Sequence, residues 1–380
     1  MPPTARAKSL MKVLVTGGAG FIGSHLVDRF LQDGFQVRIL DSLDRRPHPH
    51  GRPSYLPRNV EFVQEDVTNK QSLLCALQGI DIVSHQAAYQ DYMPDFSRFL
   101  NVNAVSTALI FELIVQHRLP VKKVIVASSQ AVYGEGQYDC PQHGFFLPTP
   151  RSQQQLLQGD WELHCPQCQQ PAKPQLLREE HNNPYNQYAV SKLAGEKAAL
   201  GLGWLHGIPT VALRYSITQG ARQSLYNRYS GVCRIFFSQA LRDLPLIIYE
   251  DGQQTRDFVH VQDVVDANML VLERDEANFQ MFNVGSGKAM SVLAYAHAVL
   301  KKLSSRMTVE MSGEYRRGDN RHSVSSVEKL RRLGWQPRRP LSVVLDDFFE
   351  WIESVGGILQ QVEDAHAHMR DAGVVLTSSV

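Results

Sequence analysis

The chain has 380 residues, 43% of them hydrophobic, enough to bury a large core as one α/β unit or two domains. Its 39 Lys and Arg balance 38 Asp and Glu, so no overall charge draws in nucleic acid or an acidic membrane. No apolar run is expected to span a bilayer, and the first ten residues lack the apolar core of a signal peptide. Five cysteines in so long a chain do not make a disulfide scaffold, which implies a reducing, cytoplasmic setting.

Met11, a second candidate start, opens a short apolar run to Thr16 that reads as a buried strand. Gly17, Gly20 and Gly23 follow, with Phe21 and Ile22 between them, and a helical pattern covers Ser24–Gln32. Alone, a glycine triplet is only a turn. Between a strand and a helix, this spacing permits a tight turn and close approach of a pyrophosphate, with the helix N-terminus pointing N–H groups at it. The next strand, Gln36–Leu40, ends at Asp41. An acid there accepts both hydroxyls of an adenosine ribose and repels a 2′-phosphate, which argues NAD over NADP, although Arg45 and Arg46 keep NADP open. A third strand leads to Asp66, placed to meet an adenine edge or to cap the following helix. The fourth, Asp81–Ala88, is expected to run its end under the pyrophosphate, with His85 structural.

An amphipathic helix through Asn101–Leu113 and a strand from Val121 to Ser129 follow. Ligands of open parallel sheets sit beyond the carboxyl ends of strands, and Ser129 falls there; the plain alternative is local turn bonding. The alternation of strands and helices predicts a Rossmann-type, doubly wound parallel sheet.

The next segment holds Cys140-Pro-Gln-His143 and Cys165-Pro-Gln-Cys168. Each half resembles a knuckle of a zinc ribbon, and together they offer four ligands to a tetrahedral metal. A disulfide or unpaired thiols are the alternatives. His164 is a rival to His143 as ligand, but the repeated Pro-Gln spacing favours His143. A closed site of this kind is a scaffold rather than a place for substrate.

Tyr188 and Lys192 lie in a run of helix formers, with Pro184 suited to its first turn. Four residues apart, they share a helix face. A phenol, with an ordinary pKa of about 10, is driven toward its phenolate by a neighbouring cation and can then take and return a hydroxyl proton. Tyr-x-x-x-Lys also arises by chance; the glycine loop upstream gives it weight. Beyond come a strand to Tyr215, an irregular region, a strand at Asn283, and a final amphipathic helix over Leu341–Ser354. The tail from Gly356, with His366 and His368, reads as a frayed helix and not a metal site.

Taken together, Thr16–Gly23, Asp41, Ser128–Gly134, Tyr188 with Lys192, Leu213-Arg214-Tyr215, Arg256–Asp263 and Asn283–Gly287 resemble the extended short-chain dehydrogenase/reductases, in their nucleotide-sugar epimerase/dehydratase branch. The resemblance implies a dinucleotide-binding domain over about 11–213, interrupted at about 136–182 by the zinc-ribbon-like insert (138–170), and a smaller substrate domain over 214–355 with segments returning to the first. It implies that Tyr188 is the acid/base, that Lys192 holds the nicotinamide ribose and lowers the phenol's pKa, and that Ser129 bonds the reacting oxygen. NAD would lie along Gly17, Gly20, Phe21, Ile22, Gly23, Asp41, Asp66, Val67, Ala87, Asn103, Tyr188 and Lys192. Arg256 and Arg316 would grip a substrate diphosphate.

Relatives that eliminate water carry an Asp-Glu pair where this chain has Gln130-Ala131, which points away from a dehydratase. The family's phosphate-binding Asn after Leu-Arg-Tyr-x is Ile217 here. The inserted ribbon, and the stretch from Gln223 to Val232, resemble bacterial dTDP-L-rhamnose 4-epimerases. The implied activity is an NAD-dependent nucleotide-sugar 4-epimerase, in a homodimer built on helices around Asn103 to Val115 and Pro184 to Ala199, with no nucleic-acid or membrane partner. UDP-glucose or UDP-glucuronate 4-epimerisation, a net oxidoreductase and a non-catalytic NAD-sensing protein stay open.

Overall fold

The computed structural model describes residues 10–91, 93–226, 231–356, 369–371 and 373–379. Val13, Leu14 and Val15 have no exposed surface, as befits a strand covered on both faces. Numbered along the chain, that strand is β1 (Lys12–Thr16), beside β2 (Gln36–Asp41), β3 (Glu61–Gln64), β4 (Ile82–His85) and β5 (Lys123–Ser129). The insert adds β6 (Gln137–Cys140), β7 (Gly144–Phe146) and β8 (Lys173–Gln175), and the sheet resumes with β9 (Thr210–Tyr215). With β14 (Gln280–Val284) it forms seven strands in the order β14-β9-β5-β4-β1-β2-β3, every pair parallel. The order reverses between β1 and β4, which opens a crevice at their carboxyl ends. The Rossmann-like expectation therefore holds.

On one face α2 (Lys70–Leu77), α3 (Phe96–His117) and α5 (Gln187–Leu205) bury Leu73, Ile110, Phe111 and Ala199 against Leu14 and Val124. On the other, α1 (Phe21–Gln32) and α7 (Val261–Glu273) cover Val13, Val15 and Leu213 with Leu26, Phe30, Val264 and Val265. Between them in sequence lie α4 (Gln153–Leu157) in the insert and α6 (Val232–Ala240). By length and composition α3 does reach a membrane span, contrary to the sequence reading. It is packed instead, with Asn103, Ser106 and Thr107 buried. One of its turns, Asn101–Val105, is π-helical, and α5 crosses there at Gly195, where a Cβ would lie 2.2 Å from the Asn103 carbonyl.

A second core joins α6, α8 (Val292–Lys302) and α10 (Leu341–Val355) through Phe236, Phe237, Tyr295 and Phe348. Short strands surround it: β10 (Ile217–Gln219) pairs β13 (Phe258–His260), and β11 (Leu246–Ile248) pairs β16 (Val309–Met311). A small sheet sets β12 (Thr255–Arg256) between β15 (Met290–Ser291) and β18 (His322–Ser323). The short α9 (Glu328–Arg331) returns Leu330 to the large sheet's core. The tail departs from expectation. Its last stretch is a strand, β19 (Val375–Thr377), antiparallel to β17 (Glu314–Arg316). His366 and His368 lie outside the described residues.

Two buried polar groups fix the sheet ends. Arg214 and Glu196, neither with exposed side-chain surface, form a bidentate pair at 2.6 and 2.8 Å. His85 lies between Thr16 (2.7 Å), Thr107 (3.1 Å) and Ser106 (3.3 Å), structural as anticipated. Burial, reinforced by Lys192, lowers His85 from 6.5 to about 3. Between those values the unfolded chain binds the extra proton, so His85 contributes a loss of stability as pH falls from 6.5 toward 3. His85→Gln should be less stable at pH 7 by urea unfolding, yet lose stability less steeply on acidification, by up to about 1.4 kcal/mol per pH unit. Parallel pH profiles of the two proteins would contradict this.

Candidate functional site

The glycine loop is built for close approach. Gly17 has φ +67°, and a Cβ on it would lie 2.7 Å from the Ala87 backbone nitrogen. A Cβ on Gly23 would meet the Gly17 carbonyl at 2.1 Å. Gly20 caps α1 without a side-chain hydrogen bond to its first-turn amides. Gly17, Gly20, Phe21, Ile22 and Gly23 line one wall of a cleft of about 1010 Å³. A dinucleotide pyrophosphate fits this arrangement: backbone close enough to touch it, and a helix dipole to hold its charge.

Farther along, Asp41 takes hydrogen bonds from the Ala19 and Leu43 amides, both 2.9 Å, and faces the cleft. Arg46 is tied to Asp44 and Asp91 and stacks on Tyr89, so its charge is neutralised locally. Asp66, Val67 and Ala87 line the same cleft, and Asp66 also closes its own turn through Thr68. Asn103 stands one layer behind. Its amide bonds the Tyr89 backbone on both sides (2.7 and 2.9 Å) and Ser191 (2.9 Å), so it shapes the loop that forms the cleft wall.

Helix α5 starts at an Asn186 cap, bonded to the Ala189 amide at 2.8 Å, with Pro184 lying ahead of the cap rather than in the first turn. The helix carries Tyr188, Lys192 and Glu196 on one stripe. Strand β5 ends beneath them. Ser128 donates to Glu196 at 2.6 Å, and the next residue, Ser129, lines the cleft with Tyr188. Ser129 also accepts from the Ala131 amide at 3.1 Å. Lys192 is buried, and its ammonium donates to the Ala127 carbonyl; burial lowers it to about 8. Burial raises Tyr188, and the polar Ser129 side chain opposes that rise. The coupling expected between ammonium and phenol is thus not the dominant influence on Tyr188, because the ammonium is turned to the strand carbonyl.

The cleft continues past Tyr188 and Ser129 to Ser216, Ile217, Arg256 and Arg316. Arg316 lies over the Tyr249 ring at 5.3 Å. Arg256 is held more tightly than its motif suggests: it donates to the Thr255, Asn320 and Arg321 carbonyls at 2.9 to 3.0 Å. It therefore organises the 319–321 loop as well as facing the cleft. Asp257, next to it, is fully buried and gathers Ser216, Ser286 and the Ser325 amide at 2.6 to 3.1 Å. Gln130 donates to Ser325 at 2.8 Å, so neither it nor Ala131 offers a proton-transfer group. Tyr249, Arg317 and the tail residues Met369, Gly373 and Val374 also line the cleft. Nothing in their local sequence marks them, since they are brought there by long-range strand pairing.

In the insert, ligand atoms of Cys140, His143, Cys165 and Cys168 all lie within 4.8 Å of one another. Cys140 Sγ is 3.7 Å from Cys168 Sγ and 3.6 Å from His143 Nδ1, and Cys165 Sγ is 3.4 Å from that nitrogen. The edges of a tetrahedron about Zn with thiolate and imidazole ligands are about 3.8 and 3.6 Å. His164 is committed elsewhere, to Asp160 at 2.9 Å and the Gln169 carbonyl at 3.0 Å. The insert is wired to the cleft. Its Glu162 pairs with Arg321 at 2.7 Å, and its buried Arg151 bonds Glu135, Glu250 and the Asp319 carbonyl at 2.9 to 3.2 Å.

Comparison with known proteins agrees with this geometry. The profile of the family described as NAD dependent epimerase/dehydratase family matches residues 13–154 and 165–285. A dTDP-L-rhamnose 4-epimerase of Burkholderia thailandensis is 32% identical over 349 residues, covering 90% of this chain and 94% of that one. The UDP-glucuronic acid 4-epimerase of Bacillus cereus, solved with UDP-glucuronic acid and NAD, superposes with TM-score 0.74 at 25% identity over 91% of this chain and all of its own. The UDP-glucose 4-epimerase of Thermotoga maritima, solved with UDP-glucose, gives 0.73 at 26% over 91% and 99%. With a glycine cradle, an acid closing β2 and a serine–tyrosine–lysine set at the sheet's switch point, the chain belongs to the NAD-dependent epimerase/dehydratase family.

Proposed function

We propose that the chain is a nucleotide-sugar 4-epimerase that inverts C4 through a transient 4-keto sugar. The observation that carries this is that Ser129, Tyr188 and Lys192 line one cleft, between the dinucleotide cradle and the end that holds Arg256 and Arg316. Gly17, Gly20 and Gly23 would hold the pyrophosphate of NAD, Asp41 its adenosine ribose, and Lys192 its nicotinamide ribose. NAD, when bound, supplies a cationic ring that favours the phenolate and the redox capacity to remove hydrogen from C4 and restore it on the other face. Tyr188 takes the proton of the sugar 4-hydroxyl and later returns it, while Ser129 hydrogen-bonds the same oxygen. Arg316 and Arg256 bind the diphosphate, so the sugar is anchored by a part that does not react and can turn over. Gln130 and Ala131 supply no acid or base for elimination, which separates this site from a dehydratase.

The substrate is dTDP-L-rhamnose, a reading supported by the 32% identity to the Burkholderia enzyme. The UDP-sugar epimerases of similar fold supply the competing reading, UDP-glucose or UDP-glucuronate. Incubation with dTDP-L-rhamnose and both UDP-sugars, with product stereochemistry read by NMR, separates them. Tyr188→Phe should lower turnover by about 10²- to 10⁴-fold with an unchanged melting temperature; epimerisation near the parental rate would remove Tyr188 as the base.

Cys140, His143, Cys165 and Cys168 hold a structural Zn, its four positions filled by protein and closed to substrate. The purified chain should carry about one Zn, and Cys165→Ser should lose both the metal and thermal stability. Metal-free parental protein that melts no lower than the metal-bound form would contradict this. Exposed Phe96, Leu100, Val190 and Trp204 on α3 and α5 fit a homodimer through these helices, and sedimentation as a single chain would rule that assembly out.

A further inference from the structure

The C-terminal strand is not needed to complete the sheet or the glycine loop, and the family match ends far upstream of it, at residue 285. Yet it is firmly attached. β19 pairs with β17 in the register Glu314↔Thr377, Tyr315↔Leu376 and Arg316↔Val375. The Arg317 amide donates to the Val374 carbonyl at 3.1 Å, and Ser378 donates to the Gly313 carbonyl at 3.1 Å. Ser379 reaches the insert, its amide 2.8 Å from the Leu157 carbonyl, and Arg370 pairs with Glu314 at 2.5 Å. Met369 is 1% exposed and Val375 5%.

This segment also reaches the cleft. Met369, Gly373 and Val374 line it directly beside Arg316 and Arg317. We propose that Met369, Gly373 and Val374 form a fixed wall of the substrate site, at the end that takes the nucleoside diphosphate. The inference rests on the nucleotide-sugar reading above. Its chemistry is that of the residues: uncharged, apolar surface suits the face of a nucleobase and deoxyribose or ribose, while the adjacent arginines suit the diphosphate. The strand register places that wall one residue from Arg316, so the tail sets both the shape of the pocket and the backbone of the arginine beside it.

The experiment compares the parental chain with a chain ending at His368 and with Val374→Asp, which keeps the strand and sets a carboxylate beside Arg316. All three are assayed for 4-epimerisation of the nucleotide sugar the parent accepts, together with NAD affinity and melting temperature. Both variants should raise KM for the nucleotide sugar about 10-fold or more, with kcat within about 2-fold and NAD affinity unchanged. If the shortened chain fails to fold, Val374→Asp alone decides. Unchanged KM in a folded variant overturns the proposal. A parental chain that epimerises no nucleotide sugar overturns the functional reading instead.

Discussion

The buried pairing of Arg214 with Glu196 is the constraint on which the site depends. Glu196 sits on the stripe of Tyr188 and Lys192, two turns beyond the tyrosine, and accepts Ser128 at 2.6 Å. Arg214 comes from the neighbouring strand and also reaches the Tyr133 hydroxyl at 2.9 Å, which in turn donates to Asn283 at 2.7 Å. Three strand ends and α5 are thus locked at one point. With Ser128 pinned to the helix, the next residue, Ser129, is held on the cleft wall that Tyr188 also lines. A charge pair with no exposed side-chain surface is weak evidence for stability, but removing one partner leaves the other stranded, at a cost of about 3–5 kcal/mol. The pair therefore makes the register of helix on strand specific.

How much of this the sequence conveyed follows from the range of each interaction. The glycine loop, Asp41 and the Tyr188–Lys192 spacing are local patterns, and their placement follows from one strand, one turn and one helix. The cluster of Cys140, His143, Cys165 and Cys168 was legible because each knuckle is complete within four positions. Other features join residues far apart in sequence. Asn103 resembles a cofactor contact, yet its amide is consumed by Tyr89 and by Ser191 of another helix. Arg256 reads as a free fork until its partners at 320 and 321 are known. Glu196 is an ordinary helix residue until Arg214 reaches it from the next strand. The tail reads as a frayed helix because its strand borrows its partner from β17.

The insert and the tail converge on the same region. Arg321, 1% exposed at its side chain, bonds Glu162 of the insert and Glu250 and Asp251, just beyond β11, at 2.7 to 2.8 Å. Its carbonyl receives Arg256. Charges this deep are tolerable only when paired, and here the Arg321 guanidinium meets three carboxylates. The insert therefore braces, through Glu162 and Arg321, a segment that also holds a cleft arginine, and the tail strand pairs with the strand just before that segment. Insert and tail extend the substrate half and leave the dinucleotide cradle untouched.

The central claim is that C4 is oxidised and restored within the cleft, with Tyr188 moving only the hydroxyl proton. The most direct measurement uses a nucleotide sugar deuterated at C4, incubated in ordinary water, with the epimer examined by mass spectrometry and NMR. The account predicts that deuterium stays at C4 in the inverted product. Replacement of that deuterium by solvent hydrogen would contradict it, because C4 would then have exchanged a proton with an acid or base.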